Sequence, residues 1–428
     1  MKPISNTRLD VLRTQDPALA DLLEICADQP VGTYFDKIAR PEHGKCHTAI
    51  DLRAQLLSIL LHTDRSGVAS NLQMQQLTAL DDCVGIHTGS HCQSFFEPSV
   101  FRSFLSAQQI ALVAPKRPVI AWMSAIVRLE NARKWGPGWL TGAATPFNIF
   151  DLSRRVLAAN SPLMPVSRDK LASLVHRQSD GRDTPEQDWI RIMARLAAEQ
   201  LRSDAATPVC FADLLLAWNA KAFEDGVFGT VPFILFDERA IAELLAELLQ
   251  SGQSALNALF FDPFTRSDIL QGAASFCSQP GFRWSTDLLW ENRDGRIRAL
   301  KSDGLDFVND QKERLAVETI ITELRAHRLL PGLFVCYLIL AILPGLRAFG
   351  GSLQVAYFPD FIRLARRLDI DTTLDLPQAI TTQLLEQGLR KLKTWEPCAL
   401  MREAEKFHYL SLETASSCFR CLPDPSRQ

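Results

Sequence analysis

The stretch CVGIHTGSHCQSFFEPSVFRSFL, residues Cys83 to Leu105, decides the fold that we predict for this chain. Its first part, Val84–His87, is a short apolar run that is interpreted as a strand. A loop with two His, a Gly, a Ser and a Cys follows, and Pro98 then suits the first turn of a helix. A strand that leads through a loop into a helix is where α/β proteins bind ligands. We therefore expect a binding site at this loop.

A second buried strand is predicted at Val119–Met123, after the helix that Pro98 starts. The run VIAWM is apolar on both faces, as are the strands of parallel sheets. A strand, a crossover helix and a second strand form a right-handed βαβ unit by default. Val231–Phe236 is a third strand candidate, and Asp237 is placed to cap the helix that follows it. The pattern predicts an α/β protein.

Helical and strand patterns divide the chain into three regions. Residues 1–80 are predicted to form an N-terminal helical segment, because the apolar residues of Asp51–His62 recur at helical spacing. Residues 81–262 hold the strands of the predicted α/β core. Residues 263–428 are predicted to contain a β-hairpin and a C-terminal helical region. The core thus carries large α-helical additions.

The hairpin is predicted around Asp294-Gly295, which lies between two strand-like runs and is a strong signal for a two-residue turn. Such a turn fixes the register of the strands. It places Glu291 opposite Arg298, and the neighbouring Trp290 opposite Ala299. A further short strand is predicted nearby, at Ala258–Phe261.

The segment Leu329–Leu346 is apolar and uncharged, and it is followed by a second candidate site. Pro331 and Pro344 bracket it and leave about 18 Å of uninterrupted helix, which is shorter than a membrane core. A buried core helix is therefore predicted instead of a membrane span. Gly350-Gly351 follows, and then Gln354 and Tyr357, which we add to the candidate binding residues. The alternative is an ordinary Gly cap at the end of a helix.

Composition excludes several classes of protein. The 428 residues are 47% hydrophobic and 22% charged, with a formal net charge of −3. This near balance gives no electrostatic reason to expect a nucleic acid or an anionic membrane as partner. The first residues, Met1–Leu23, carry charges throughout and are not interpreted as an export signal. The ten scattered Cys are interpreted as reduced thiols, which favours a cytoplasmic protein.

Two Cys- or His-containing segments were considered as metal or redox sites. His43, Cys46 and His47 lie close together, but a structural zinc needs four ligands and no fourth is evident. We interpret them as a polar surface loop and predict no metal. Cys418 and Cys421 form a CxxC pair whose role stays open. No glycine fingerprint, Walker loop or zinc-protease helix identifies a cofactor.

The segment from Thr88 to Trp122 resembles the bacillithiol synthase family. That family has a Thr-Gly-Gln-Gln loop after its first strand, a Pro at the start of the next helix and a Pro-Val-Phe-Trp strand. This chain has Thr88-Gly89-Ser90-His91, Pro98 and Pro118-Val119-Ile120-Ala121-Trp122. The resemblance covers residues 83–123 and implies a Rossmann-like core related to nucleotidyltransferases. It also implies a C–N bond-forming ligase or transferase, although Ser90-His91 replaces the Gln-Gln pair.

Our first hypothesis is a cytoplasmic biosynthetic enzyme that binds a small polar or nucleotide-like substrate at the His87–His91 loop. Histidine titrates near neutral pH, so His87 and His91 are the candidate catalytic acid and base. The alternative for this pair is hydrogen bonding within a tight turn. The candidate substrate-binding residues are Thr88, Gly89, Ser90, Gln93, Trp122, Gln354 and Tyr357.

The second hypothesis is a non-catalytic accessory or partner-binding protein that kept an enzyme fold. It is favoured because the resemblance implies an acidic, His-containing segment after Trp122, and this chain has Ser124–Glu130 there. A protein partner or a homodimer is compatible with this reading. A third reading, a metal bound by His87, His91 and Cys92, is the weakest.

Overall fold

A computed structural model describes the following parts of the chain: residues 13, 17–26, 47–62, 85–92, 119–129, 139–140, 147–148, 150–176, 185–202, 209–222, 233–277, 284–302, 306–308, 313–350, 354–370 and 379–381. Four features predicted from the sequence lie outside these residues: Gln93, the helix after Pro98, the loop before His47 and the Cys418–Cys421 pair.

The described chain contains both helices and strands, which follow one another in groups. The helices are α1 Pro17–Cys26, α2 His47–His62, α3 Arg154–Ala159, α4 Arg168–His176, α5 Pro185–Arg202, α6 Phe211–Ala222, α7 Glu238–Gln250, α8 Ser254–Phe261, α9 Pro263–Cys277, α10 Val317–Arg325, α11 Leu333–Tyr337 and α12 Gln354–Arg366. The strands are β1 Ile86–His91, β2 Val119–Ser124, β3 Trp139–Leu140, β4 Phe147–Asn148, β5 Phe233–Phe236, β6 Leu289–Arg293, β7 Arg296–Ala299, β8 Lys301–Ser302, β9 Phe307–Val308, β10 Leu329–Pro331, β11 Ala348–Gly350 and β12 Ala379–Thr381.

The centre of the fold is a five-stranded parallel sheet in the order β12-β11-β1-β2-β5. The strands β2, β5 and β11 are short and largely apolar, as expected for strands covered on both faces, whereas β1 carries polar residues. Ile86, Ile120, Ile234 and Ala348 are all fully buried and come from four neighbouring strands. The chain is therefore an α/β protein, as predicted.

The order of the strands reverses direction at β1. From β1 the chain adds β2 and then β5 on one side, and it later adds β11 and β12 on the other side. In open parallel sheets, ligands bind at the carboxyl ends of the strands on either side of such a reversal. The reversal here lies between β1 and β11. The same sheet also joins strands from the predicted regions 81–262 and 263–428.

The bounds of β1 differ from those predicted for the His87–His91 segment. The sequence suggested a strand up to His87 and a loop beyond it, but the strand runs from Ile86 to His91. It is held by parallel neighbours on both sides, with a register shift between His87 and Ser90 where it meets β2. Such an irregularity lets Gly-containing sequence stay within a sheet.

The hairpin prediction is confirmed residue by residue. Strands β6 and β7 pair antiparallel, with Glu291 opposite Arg298 and Trp290 opposite Ala299. Asp294 and Gly295 have φ angles of 52° and 83°, the left-handed values that this two-residue turn requires. By contrast, Ala258–Phe261 is not a strand, because it completes the helix α8.

The apolar segment after residue 328 is buried, as predicted, but it is not one helix. Leu329–Pro331 forms β10 and pairs with β6. The helix α11 then continues into a π-helical turn, Leu338–Ile342, with Leu343 N–H bonded to the Leu338 carbonyl at 2.8 Å. No helix among the residues described above is long and apolar enough to span a membrane.

A buried arginine fastens the N-terminal helix α2 to the end of this π-helical turn. Arg53 is 2% exposed, and its Nε donates to the carbonyl oxygen of Pro344 at 2.6 Å. The same helix also packs against α7. Carbonyls at a helix end lack partners within the helix, and a guanidinium satisfies them well. The predicted helix over Asp51–His62 is confirmed, and it belongs to the same core as the sheet.

Candidate functional site

A buried group of polar side chains lies where the strand order reverses. His87 pairs with Phe349, so the next residue, Thr88, lies beside Gly350 at the carboxyl end of β11. Thr88 Oγ1 is 3.1 Å from the Phe349 carbonyl oxygen and 2.8 Å from Oε1 of Gln354. Gln354 is the first residue of α12. The structure thus brings together Thr88 and Gln354, which the sequence had named as separate candidates.

The described residues Phe349 and Gly350 do not form the end of a helix, which corrects the alternative interpretation as a Gly cap. Ala348–Gly350 is a strand, and α12 begins at Gln354. The glycine at 350 is required by space. A Cβ atom there would lie 1.7 Å from Gln354 Oε1 and 3.1 Å from Thr88 Oγ1. Only glycine lets the Gln354 side chain fold back across the end of β11.

Two tyrosines extend the polar group into the core. The Tyr337 hydroxyl donates to Thr88 Oγ1 at 3.0 Å and lies 2.9 Å from the Tyr357 hydroxyl. Burial raises the pKa of Tyr337 well above its ordinary value, and burial also raises the pKa of Tyr357 to about 12. Both hydroxyls are therefore protonated and neutral at physiological pH. Tyr337 lies at the start of the π-helical turn, a feature that is frequent at functional sites.

The amide of Gln354 has an unused hydrogen-bonding group. Its side chain is 1% exposed, and Nε2 has no partner among the residues described in the fold. If the amide were turned by about 180°, Nε2 would bond to Thr88, and Oε1 would be the atom without a hydrogen-bond partner. Thr88 carries one proton and two lone pairs, so it can serve either arrangement. A buried polar group without a partner is rare in native structures and calls for an explanation, such as a functional role or a bound water or ion.

Trp122 forms the wall of this group on the β2 side. Its ring is 2% exposed and stands edge-on to Tyr337, with 5.7 Å between the ring centroids. Within the described part of the chain its indole N–H has no acceptor. Trp122 contacts Tyr337 directly, and Gln354 is linked to the same tyrosine through Thr88. Each of the two side chains has an N–H group without an acceptor among the described residues.

The two candidate histidines lie in β1 and differ in their surroundings. His87 is fully buried and pairs with Ala121 on one side and Phe349 on the other. His91 is half-buried at the end of the strand, opposite Ser124 of β2. Gly89 and Ser90 lie between them in β1. The histidines therefore belong to the sheet, and only His91 reaches its carboxyl edge.

Sequence reasoning missed a buried carboxyl group at the same edge of the sheet. Glu238 is the first residue of α7 and is fully buried. Its Oε1 accepts from Ser124 Oγ at 2.5 Å, and its Oε2 accepts from the Ala125 N–H at 2.7 Å. The sequence signal was the acidic pair Asp237-Glu238 after β5, of which only Asp237 had been interpreted, as a helix cap.

The pKa of Glu238 is raised to about 7, chiefly because the carboxyl group is removed from water. The hydrogen bond from Ser124 favours the charged form and offsets part of this rise, while the charge of Asp237 adds to it. A carboxyl group with a pKa near neutral can both accept and donate a proton under physiological conditions. Such groups are concentrated at functional sites.

A buried ion-pair network lies next to Glu238. The predicted cap is confirmed, since the side chain of Asp237 accepts from the Arg239 N–H. The Arg239 guanidinium bonds to Asp237 at 2.6 Å and to Asp213 of α6 at 2.8 Å. It also contacts the Cys210 thiol at 3.3 Å. Burial, together with Asp213, raises the pKa of Cys210 to about 12, so this thiol is protonated.

The described residues contain no group of three His, Cys, Asp or Glu side chains arranged to hold a metal ion. Cys92, Cys210, Cys277 and Cys336 are free thiols. Cys92 lies at the end of β1, where its N–H donates to the Ser124 carbonyl oxygen at 2.7 Å. Burial raises its pKa well above the ordinary value. A neutral, buried thiol is a poor metal ligand and a poor nucleophile.

Comparison with known proteins assigns no family to the chain. No protein-family model matches the sequence, and no curated protein matches it.

Proposed function

We propose that this protein is an enzyme with a Rossmann-like core that binds a small polar or nucleotide-like substrate between β1 and β11. One observation carries the proposal. The strand order reverses at the same position where Thr88 and Gln354 form a buried polar pair with a spare amide group. In open α/β sheets this position is where ligands are bound.

The chemistry of the cluster indicates what kind of ligand fits. Thr88, Tyr337, Tyr357 and Gln354 offer neutral hydroxyl and amide groups, and Trp122 offers a further N–H. A buried neutral site of this type favours a ligand with hydrogen-bonding groups and no large net charge at that end. The resemblance to bacillithiol synthases suggests a C–N bond-forming ligase or transferase, and the composition suggests a cytoplasmic protein.

His91 is the histidine that we propose to take part in the chemistry. It lies at the carboxyl edge of the sheet, whereas His87 is fully buried between β2 and β11. An acid or base must reach a substrate within hydrogen-bonding distance. We propose that His87 instead helps to hold β1, and that Thr88 and the glycine after it bring the substrate close to the backbone.

The second candidate function is a partner-binding protein without catalysis. It is favoured by the tight packing of the cluster, because the Gln354 side chain fills the space above Gly350 and is 1% exposed. An enzyme would need this side chain to move when its substrate enters. A partner-binding protein would keep it in place as part of the core.

A thermal-shift screen separates these two functions. The purified protein is tested against nucleotides, amino sugars, amino acids and thiols. A ligand at about a hundred times its dissociation constant stabilises the native state by about 2.7 kcal/mol, which gives a clear shift. The variants are Gln354→Met, which removes the buried amide, and Gln271→Met, which removes an exposed amide on α9 bonded to Ser267.

We expect a ligand that shifts the wild type and Gln271→Met but not Gln354→Met. His91→Ala is tested alongside, and it is expected to bind the same ligand without turning it over. A shift that persists in Gln354→Met would contradict the proposed site. No shift across the panel, from a well-folded protein, would favour the partner-binding function.

A further inference from the structure

Three neighbouring strands bring a His, a Ser and a Glu to the same edge of the sheet. His91 ends β1 and pairs with Ser124, which ends β2. The strand β5 pairs with β2 on the other side, and Glu238 follows its last residue by two positions. Ser124 Oγ donates to Glu238 Oε1 at 2.5 Å. The serine therefore lies between a histidine-bearing strand and a carboxyl group.

One oxygen of the Glu238 carboxyl group is bonded to the hydroxyl of Ser124, the last residue of β2. Glu238 is fully buried, and its other oxygen is occupied by the Ala125 N–H. Ser124 is half-buried and is therefore more exposed than the carboxyl group. A reacting group that approaches this edge would meet the Ser124 hydroxyl and not the carboxylate behind it.

We propose that Ser124 is a nucleophile that accepts an acyl group from an ester-like or thioester-like substrate, with Glu238 as the base that takes its proton. This inference rests on the function proposed above, because it assigns the reaction and the substrate class to the same edge of the sheet. It explains why a carboxyl group is kept in the core beside a hydroxyl, where a packed apolar side chain would cost less free energy.

The proton balance of the step is simple. As Ser124 Oγ attacks the carbonyl carbon, an O–C bond forms and the hydroxyl proton moves to Glu238. The bond from the carbonyl carbon to the leaving alcohol or thiol then breaks, and the leaving group takes a proton from solvent at the edge of the sheet while Glu238 keeps the hydroxyl proton. An amine or water that attacks the acyl-serine releases its proton to solvent, and Glu238 returns the stored proton to Ser124 Oγ as the hydroxyl is restored. An activated serine of this kind needs a base within hydrogen-bonding distance.

The surroundings of Glu238 suit a base. Burial raises its pKa to about 7, with Asp237 adding to the rise, so it is largely ionised just above neutral pH. Cys92 and Cys336 are the other described ionisable groups that interact electrostatically with Glu238. Both thiols are neutral because burial raises their pKa values. The Arg239 charge is compensated by Asp237 and Asp213.

The test uses a fluorophosphonate probe, which reacts with activated serines without the natural substrate. The Oγ–P bond forms, the P–F bond breaks, fluoride leaves, and Glu238 accepts the proton. Mass spectrometry of the digested protein locates the adduct. We expect an adduct at Ser124 whose rate of formation rises with pH around a midpoint near 7, and none in Ser124→Ala.

The control serine is Ser285, which is also half-buried and also donates to a carboxylate, that of Asp287 at 2.6 Å. We expect no adduct there, and an unchanged rate at Ser124 in Ser285→Ala. In Glu238→Gln the amide oxygen can still accept from the Ala125 N–H, while its NH2 group donates to Ser124 Oγ and so cannot take the hydroxyl proton. The rate at Ser124 should therefore fall by about 10²-fold or more and lose its pH dependence. If Glu238 had only a structural role, neither the labelling rate at Ser124 nor its dependence on pH would change in this variant.

Two results would overturn the inference. The first is a well-folded wild type that leaves Ser124 unlabelled, and the second is an adduct whose rate does not change with pH between 6 and 8. Both are read on the wild type, so the test stands even if Glu238→Gln fails to fold. The probe reads Ser124 without the natural substrate, whereas the thermal-shift panel reads ligand binding through Gln354. Loss of ligand binding and loss of labelling are therefore separate outcomes.

Discussion

Thr88 Oγ1 lies 2.8 Å from Gln354 Oε1, although 266 positions separate the two residues in the chain. The contact lies beside β1 and β11, which pair directly and are the two strands on either side of the reversal in strand order. It therefore joins the first strand of the sheet to the helix that follows β11. The predictions below begin with this pair.

Thr88→Val removes the hydroxyl group and keeps the shape of the side chain. Tyr337 and Gln354 each lose a buried hydrogen-bond partner, so we expect the free energy of unfolding to fall by about 1–3 kcal/mol. Urea denaturation measures the loss. The matched control is Thr322→Val on the exposed face of α10, where Thr322 Oγ1 bonds to the Glu318 carbonyl. That variant should change stability by about 0.5 kcal/mol or less. Equal losses in the two variants would contradict a buried network at Thr88.

Gly350→Ala tests the close approach of the Gln354 side chain to the end of β11. The new Cβ atom would lie 1.7 Å from Oε1, so the amide must move out of its place. We expect a loss of about 1–3 kcal/mol in the free energy of unfolding. Gln354→Ala makes room for the new methyl group. The double variant Gly350→Ala/Gln354→Ala should therefore lose less unfolding free energy than the two single variants lose in sum, by about 0.5 kcal/mol or more.

The control for this cycle is Gln271→Ala, which shortens an exposed glutamine on another helix. Combined with Gly350→Ala, its effect should add within about 0.5 kcal/mol. Additive losses in the Gln354 cycle as well would show that the two side chains do not compete for the same space.

The hairpin was predictable because its information is local. Asp294-Gly295 dictates the turn, and the turn fixes the register of every pair along β6 and β7. The segment after residue 328 was harder. Its burial followed from its apolar composition, but Leu329–Pro331 became a strand because β6 has a free edge for it. The secondary-structure propensity of Leu329–Pro331 alone does not predict that it pairs with β6.

In the candidate site, too, some features could be predicted from local sequence and others could not. Thr88 and Gln354 could be named from the sequence, since Thr88 directly precedes Gly89 and Gln354 is the first polar residue with a long side chain after Gly350-Gly351. Their contact could not, because it depends on which strands are neighbours in the sheet. The Ser124–Glu238 pair was missed for the same reason. An acidic residue at the start of a helix is usually explained by the helix dipole, and only the order β1-β2-β5 shows that a serine faces it.

Gly295→Ala should strongly destabilise the hairpin. Gly295 has a φ of 83°, and a Cβ atom there would lie 2.4 Å from the backbone of Met164. Strain in the left-handed region and the clash together should cost about 2 kcal/mol or more in urea denaturation. Asp294→Asn, one residue earlier in the same turn, should leave stability nearly unchanged because Asn also favours left-handed φ. Similar losses in both variants would contradict the backbone argument.

Arg239→Met should remove the cation that holds two buried carboxylates together. Asp237 and Asp213 are bonded to Arg239 at 2.6 Å and 2.8 Å, and breaking a buried pair on one side costs about 3–5 kcal/mol. The matched control is Arg328→Met, which removes a largely exposed arginine from its ion pair with Glu323. That change should cost about 1 kcal/mol or less. Adding Asp213→Asn to Arg239→Met should recover part of the loss, and no recovery would argue against a charge effect.

Glu238→Gln should change how stability depends on pH. The pKa of Glu238 in the folded protein is about 7 because of burial, whereas the ordinary value is 4.5. The native state therefore binds this proton more tightly than the unfolded state. Its stabilising contribution is complete below about pH 4.5 and is lost as pH rises through 7, by an amount on the order of 3 kcal/mol.

Urea denaturation from pH 4.5 to 8 measures this slope. The wild type should lose stability across the window, and Glu238→Gln should lose much less because its amide does not titrate. The control is Glu323→Gln, since the hydrogen bond from Arg328 lowers the pKa of Glu323 and its titration falls below the window. That variant should keep the wild-type slope. If Glu238→Gln keeps it too, the carboxyl group titrates at its ordinary pKa, and its role as a base near neutral pH loses its physical support.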